Sequence, residues 1–168
     1  VLRAAVVGVG HLGRHHARIL SSVEGARLDA VVDVNEPRAR EIAAGAGALA
    51  LTSARDLLGR IDLVSIATPT ETHAEIATLF LNHGIPVLVE KPLARSVAEA
   101  DAIIAAAARS GAALAVGHTE RFNPAVVAAR PAVDNPGFIE VHRLGTFPER
   151  SLDIDVVFDL MIHDLDVV

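Results

Sequence analysis

Residues 2–13 read Leu2-Arg3-Ala4-Ala5-Val6-Val7-Gly8-Val9-Gly10-His11-Leu12-Gly13, an apolar run that ends in three glycines spaced G-x-G-x-x-G. A short apolar run closed by glycine is the pattern of a buried strand. His11 to Leu20 then takes helical spacing. Leu28 to Val32 forms a second apolar run, closed by Asp33, twenty residues beyond Gly13. Strand, glycine turn, helix, strand and acid in that order have a physical reading. Gly8 permits the tight turn, Gly10 lets the backbone approach a pyrophosphate, and Gly13 lets helix and strand pack closely. The helix N-terminus then faces the anion. The alternative is a glycine-rich turn in an α/β protein without a ligand.

Working outward, strand and helix keep alternating. Arg38–Ala44 is a helix behind Pro37, Ala48–Leu51 a third strand, and Ser53 caps a short helix to Leu58. Leu63–Ala67 is a fourth strand, Thr72–His83 a helix closed by Gly84, and Val87–Val89 a fifth strand. Ser96 caps a helix to Arg109, with Glu99 completing a capping box. Ala113–Val116 is a sixth strand. Such alternation predicts an α/β fold, a doubly wound parallel Rossmann sheet over residues 1–118. The pattern changes after that. Pro124, Pro131, Pro136 and Gly137 punctuate the chain, Phe138–Leu144 alternates like a half-exposed strand, and Asp155–Val168 has helical character. Residues 119–168 are expected to be the beginning of a truncated α+β domain whose remainder is absent.

Composition bounds the function. The chain has 168 residues, 51% of them apolar and 21% charged, which excludes intrinsic disorder. It has no Cys, so thiolate metal sites, disulfides and Cys nucleophiles are ruled out. A net charge of −6 and an aromatic content of 3% argue against nucleic acid as a partner. No apolar run reaches the length of a membrane span. The expected compartment is the cytoplasm. Lys91 is the only lysine, against 14 arginines. Where a chain uses Arg for nearly every cation, a single Lys marks a position that Arg cannot fill.

At the second strand, Asp33 is placed to accept hydrogen bonds from the adenosine ribose and to repel a 2′-phosphate. This favours NAD over NADP, with Arg38 close enough to oppose it. His11 and Leu12, inside the turn, fall at the pyrophosphate by position, whereas His15 and His16 are expected to be surface or packing residues. Asp159 and His163 stand i, i+4, which puts both side chains on one face of a helix, with Asp166 three further on near the same face. Such a pair is ordinarily a solvated surface pair; a carboxylate-oriented His is also a general base suited to neutral pH. No metal site is expected.

Four ordered segments carry a family resemblance. Glu90-Lys91-Pro92 resembles the E-K-P motif of the Gfo/Idh/MocA oxidoreductases. Thr68-Pro69 with His73 resembles the family's T-P-x-x-x-H loop, and Glu120-Arg121-Phe122-Asn123-Pro124 its R-F-x-P segment. Asp159-Leu160-Met161-Ile162-His163 is similar to its D-x-G-x-H helix, with Met161 where many members have Gly. The resemblance implies an NAD-dependent dehydrogenase that moves hydride between a sugar or nucleotide-sugar hydroxyl carbon and nicotinamide. Lys91, His163 and Asp159 are then catalytic, and Thr68, Pro69, His73, Glu90, Lys91 and Arg121 join the cofactor contacts. It also implies a homo-oligomer formed through the absent C-terminal domain. The run from Gly117 and the ending from Asp155 resemble members that act on nucleotide-activated amino sugars. The competing classes are a dinucleotide sensor without turnover, which should lack Lys91 or His163, and a biliverdin-reductase-like enzyme that shares only the nucleotide domain.

Overall fold

A computed structural model of the chain describes residues 1–133, 135–142 and 155–168. They form two compact units, Val1–Val116 and Gly117–Val168. The first holds β1 (Leu2–Val7), α1 (Gly13–Leu20), β2 (Ala26–Val32), α2 (Glu36–Ala46), β3 (Leu49–Leu51), β4 (Leu63–Ile66), α3 (His73–Leu81), β5 (Val87–Val89), α4 (Val97–Ser110) and β6 (Leu114–Val116). All six strands are parallel, in the order β3-β2-β1-β4-β5-β6. The order reverses between β1 and β4, which makes that junction the topological switch point.

Two apolar layers sandwich the sheet. Val6, Val9, Leu28 and Val31 pack on Ala17 of α1 and Ala39 and Ala43 of α2. Val64, Ile66, Val87 and Val89 pack on Ala77, Phe80 and Leu81 of α3 and Ile103 and Ala106 of α4. The strands read as continuous Val/Ile/Leu/Ala runs because both faces are covered. Alanines on the helices allow close approach of helix to sheet.

Helix ends follow local chemistry. Asn35 caps α2 by accepting from the Arg38 amide at 3.1 Å, and Gly47 ends the helix at φ 65°. Ser96 caps α4 by accepting from the Glu99 amide, as expected. Glu99 reaches the Arg95 amide and guanidinium instead of the Ser96 amide, so the reciprocal half of the box is displaced by one residue. The expected Ser53 side-chain cap does not form; Ala54–Leu57 is a 3-10 turn closed by the Ser53 carbonyl.

At the amino edge of the sheet, Arg3 and Asp62 are joined four ways. The Arg3 amide and guanidinium donate to the Asp62 carboxylate, and the Asp62 amide donates to the Arg3 carbonyl. The Arg3 side-chain hydrogen bond, with its amide, pulls the Asp62 carboxyl from 3.8 to about 2. A depressed carboxyl contributes stability that is fully present above its unfolded value and is lost as pH falls through the folded one. Melting temperatures of the protein and of Asp62→Asn should therefore differ above pH 4 and converge between pH 4 and 2. A difference that persists unchanged at pH 2 would show that the pair contributes nothing to acid stability.

The second unit contains α5 (Pro124–Ala129) and α6 (Ile162–Val167), with a π turn at Val157–Met161 running into α6. The expected strand at Phe138–Leu144 is not formed over Phe138–His142; Arg143 and Leu144 lie outside the described residues. An alternating segment becomes a strand only when a neighbour pairs its backbone, and no described residue does so. No helix among the described residues is long and apolar enough to cross a membrane.

Candidate functional site

Strand register gathers the signature residues. Val7 is level with Val32 and Ile66, and Ile66 with Val89. The next residues along, Gly8, Asp33, Ala67 and Glu90, therefore share one row at the carboxyl edge. Ladder bonds from the Gly8, Ala67 and Glu90 amides fix that row. In an open parallel sheet this edge, at the switch point, is where ligands bind.

The three glycines differ in what holds them. Gly8 has φ +83°, and a Cβ there would lie 2.7 Å from the Ala67 carbonyl oxygen. A Cβ on Gly13 would lie 1.7 Å from the Gly8 carbonyl oxygen, so α1 can sit on the turn only through glycine. A Cβ on Gly10 meets nothing within 4 Å. Gly8 and Gly13 thus serve the fold, while Gly10 leaves bare backbone facing open space at the start of α1. Open backbone just before a helix N-terminus is able to admit an anion. Leu12 is 42% exposed beside it. The His11 ring meets His15 edge-on at 6.0 Å. Desolvation, together with Arg14, holds the His15 imidazole below its usual value.

Asp33 closes β2 with its carboxylate held by two amides, Val9 to Oδ2 and Asn35 to Oδ1, both at 2.9 Å. The carboxylate is thereby tied to the glycine turn. Arg38 donates from Nε to the Val9 carbonyl at 3.0 Å and pairs with Glu41 at 2.8 Å. Its guanidinium is occupied by the turn and by its own helix, which weakens its competition with Asp33 for the sign of the site.

Beyond β4, Thr68 accepts from the Thr72 hydroxyl at 2.7 Å, and Pro69 is exposed. His73 was expected to meet the cofactor, but it is only 1% exposed. Its ring lies 2.9 Å from the Thr68 carbonyl and 3.0 Å from that of Pro92, bridging the loops after β4 and β5. Glu90 likewise turns inward, 6% exposed. Its Oε1 lies 3.0 Å from His16 Nε2, and its Oε2 accepts from the Lys91 amide at 3.2 Å. His73 and Glu90 thus brace the loops that carry the motif. Lys91, half-buried, follows Glu90 directly.

His16, expected to be a surface or packing residue, is a packing one, and it is bound at both nitrogens, with Nδ1 2.7 Å from the Ser65 hydroxyl. A signal was present: Gly13, His16 and Ala17 share the face of α1 that meets the sheet.

In the second unit, the Arg121 guanidinium grips Asp166 with both Nε and a terminal nitrogen. That hydrogen bond holds the Asp166 carboxyl below its usual value, and Asp166 also stands 3.9 Å from His118. Asp159 lies in the π turn and His163 in α6, so the pair does not share one uninterrupted α-helix. Both are half-buried.

A six-stranded parallel sheet with this order, a glycine turn after β1 and an acid after β2 defines a dinucleotide-binding Rossmann domain. The chain belongs to the Gfo/Idh/MocA oxidoreductase family with its NAD-binding Rossmann fold, whose family model matches residues 2–118. It is 44% identical to UDP-N-acetylglucosamine 3-dehydrogenase of Acidithiobacillus ferrooxidans over 99% of this chain and 53% of that protein. It is 40% identical to inositol 2-dehydrogenase 1 of Saccharopolyspora erythraea over 79% of this chain and 41% of that one. The solved structure of the Acidithiobacillus enzyme superposes with a TM-score of 0.92 at 44% identity, over 99% of this chain and 55% of that one. GenD2 from gentamicin A biosynthesis, solved in complex with NAD, superposes at 0.75 with 36% identity, over 78% and 38%. The chain spans about half the length of the curated relatives it matches.

Proposed function

We propose that this chain is the cofactor-binding and proton-handling part of an NAD-dependent dehydrogenase acting on a hydroxyl carbon of a nucleotide-activated amino sugar. The observation that carries it is the glycine turn that leaves the sheet at Gly8, in one row with Asp33 and the Glu90-Lys91 step, on a chain 44% identical to a UDP-N-acetylglucosamine 3-dehydrogenase. NAD, when bound, accepts the hydride. Gly10 and the start of α1 hold its diphosphate, and Asp33 its adenosine ribose. Lys91 supplies a compact cation that stabilises charge developing on the substrate oxygen. His163 takes the hydroxyl proton, and Asp159 orients the imidazole and steadies its charged form. The reaction is placed in the cytoplasm. Exposed apolar side chains on the second unit, among them Phe122 and Phe138, support association of subunits through that part of the enzyme. Reduction of NAD with UDP-N-acetylglucosamine by the whole enzyme that carries this chain bears this out; binding of NAD by that enzyme without turnover of any nucleotide sugar overturns it in favour of a sensor.

The cofactor preference has its own test. Asp33 presents a carboxylate where a 2′-phosphate would sit, and Arg38 is engaged elsewhere. Calorimetric titration should give tighter binding of NAD than of NADP. Asp33→Ser should weaken NAD and narrow the ratio between the two, since it removes both the ribose acceptor and the bond to the Val9 amide. An unchanged ratio would rule out Asp33 as the discriminating residue.

A further inference from the structure

His16 sits one turn into α1, on the face buried against the sheet, with its side chain 16% exposed. A carboxylate only accepts, so the ring nitrogen facing Glu90 Oε1 at 3.0 Å carries the proton: Nε2–H donates. In the neutral ring Nδ1 is then an acceptor, and the buried Ser65 hydroxyl 2.7 Å away donates to it. Ser65 lies in β4 and is 2% exposed, so the ring orientation is fixed from within the sheet. The other Glu90 oxygen accepts from the Lys91 amide at 3.2 Å. A continuous chain of hydrogen bonds thus runs from Ser65 through His16 and Glu90 to the backbone of the lone lysine. It passes through α1, the helix that follows the glycine turn.

We propose that His16 is a positioning residue for Lys91: acting through Glu90, it holds the lysine backbone in the placement that turnover requires, without itself touching cofactor or substrate. This inference rests on the role given to Lys91 above. Displacement of a reacting group by about 1 Å costs on the order of 100-fold in rate. Loss of the Glu90 anchor falls within that range.

The chemistry of the donor supplies the test. A Gln amide nitrogen reaches the place of imidazole Nε2, whereas an Asn amide nitrogen reaches only that of Nδ1. His16→Gln keeps the donation to Glu90; His16→Asn and His16→Ala lose it. Turnover of UDP-N-acetylglucosamine with NAD should fall roughly 10- to 100-fold in the Ala and Asn variants and stay within about threefold of normal in the Gln variant. The Kd for NAD should stay within about threefold in all three. Adding His16→Ala to Lys91→Ala should cost nothing further, because the two act in series. If His16→Ala does not fold, the contrast between Gln and Asn decides. Equal turnover in Gln and Asn, or an undiminished rate in Ala, overturns the inference while leaving the Lys91 role intact. Full activity in Lys91→Ala overturns both.

Discussion

Lys91→Ala is expected to lower turnover on the true substrate by on the order of 10²–10³-fold, the loss typical of one positioned charge at a developing oxyanion. His163→Ala should cost about 10²–10⁴-fold, the range for a removed general base. Neither residue lies in the glycine turn or at Asp33, so the Kd for NAD should hold within about threefold in both. Lys91→Arg should not restore the rate. The guanidinium is a larger planar cation that stays charged at any working pH, and it cannot share a proton with the substrate oxygen. The site also leaves little freedom there, because Glu90 before the lysine is held by His16 and the buried Pro92 after it has its carbonyl against His73. Asp159→Asn should shift the pH–rate profile, since the imidazole loses the charge that orients it. These are read from steady-state kinetics paired with cofactor titration. Near-normal turnover in Lys91→Arg would reduce Lys91 to a generic cation.

What the chain made readable, and what it hid, divides along physical lines. The sheet was legible because parallel strands covered on both faces are written as uninterrupted apolar runs, each followed by a turn residue whose chemistry is local. Gly8 after β1 and Asp33 after β2 belong to that class. Register did the rest, since strands ending level bring Gly8, Asp33 and Glu90 together without long-range information. The supporting layer was not legible. For Glu90 and His73, motif position says only that they are near the edge. Whether a side chain turns toward solvent or beneath the loop depends on partners many residues away, Glu90 on His16 and His73 on Pro92. His16 itself was masked by His11 in the turn and His15 on the same short helix, which do face solvent. The π turn before α6 was hidden because one widened turn leaves no mark in a periodicity read over two turns.

The glycine turn separates fold from function within a single motif, and that separation yields the second large effect. Gly13→Ala should lower the melting temperature by roughly 5–10 °C, because its Cβ would lie 1.7 Å from the Gly8 carbonyl oxygen and backbone must move to admit it. NAD binding should fail along with it, since α1 and the turn part company. Gly10→Ala should behave in the opposite way. Its Cβ meets no protein atom within 4 Å, and its φ is not in the left-handed region, so stability should change by no more than about 0.5 kcal/mol. The methyl would stand where a diphosphate must approach the backbone, and NAD affinity should fall at least about tenfold, or about 1.4 kcal/mol. Differential scanning and calorimetric titration of the two variants side by side make the comparison. If Gly10→Ala binds NAD normally, the diphosphate does not lie over Gly10 and the cradle is elsewhere. If Gly13→Ala melts with the parent protein, the contact of α1 with the turn is looser than the 1.7 Å approach requires.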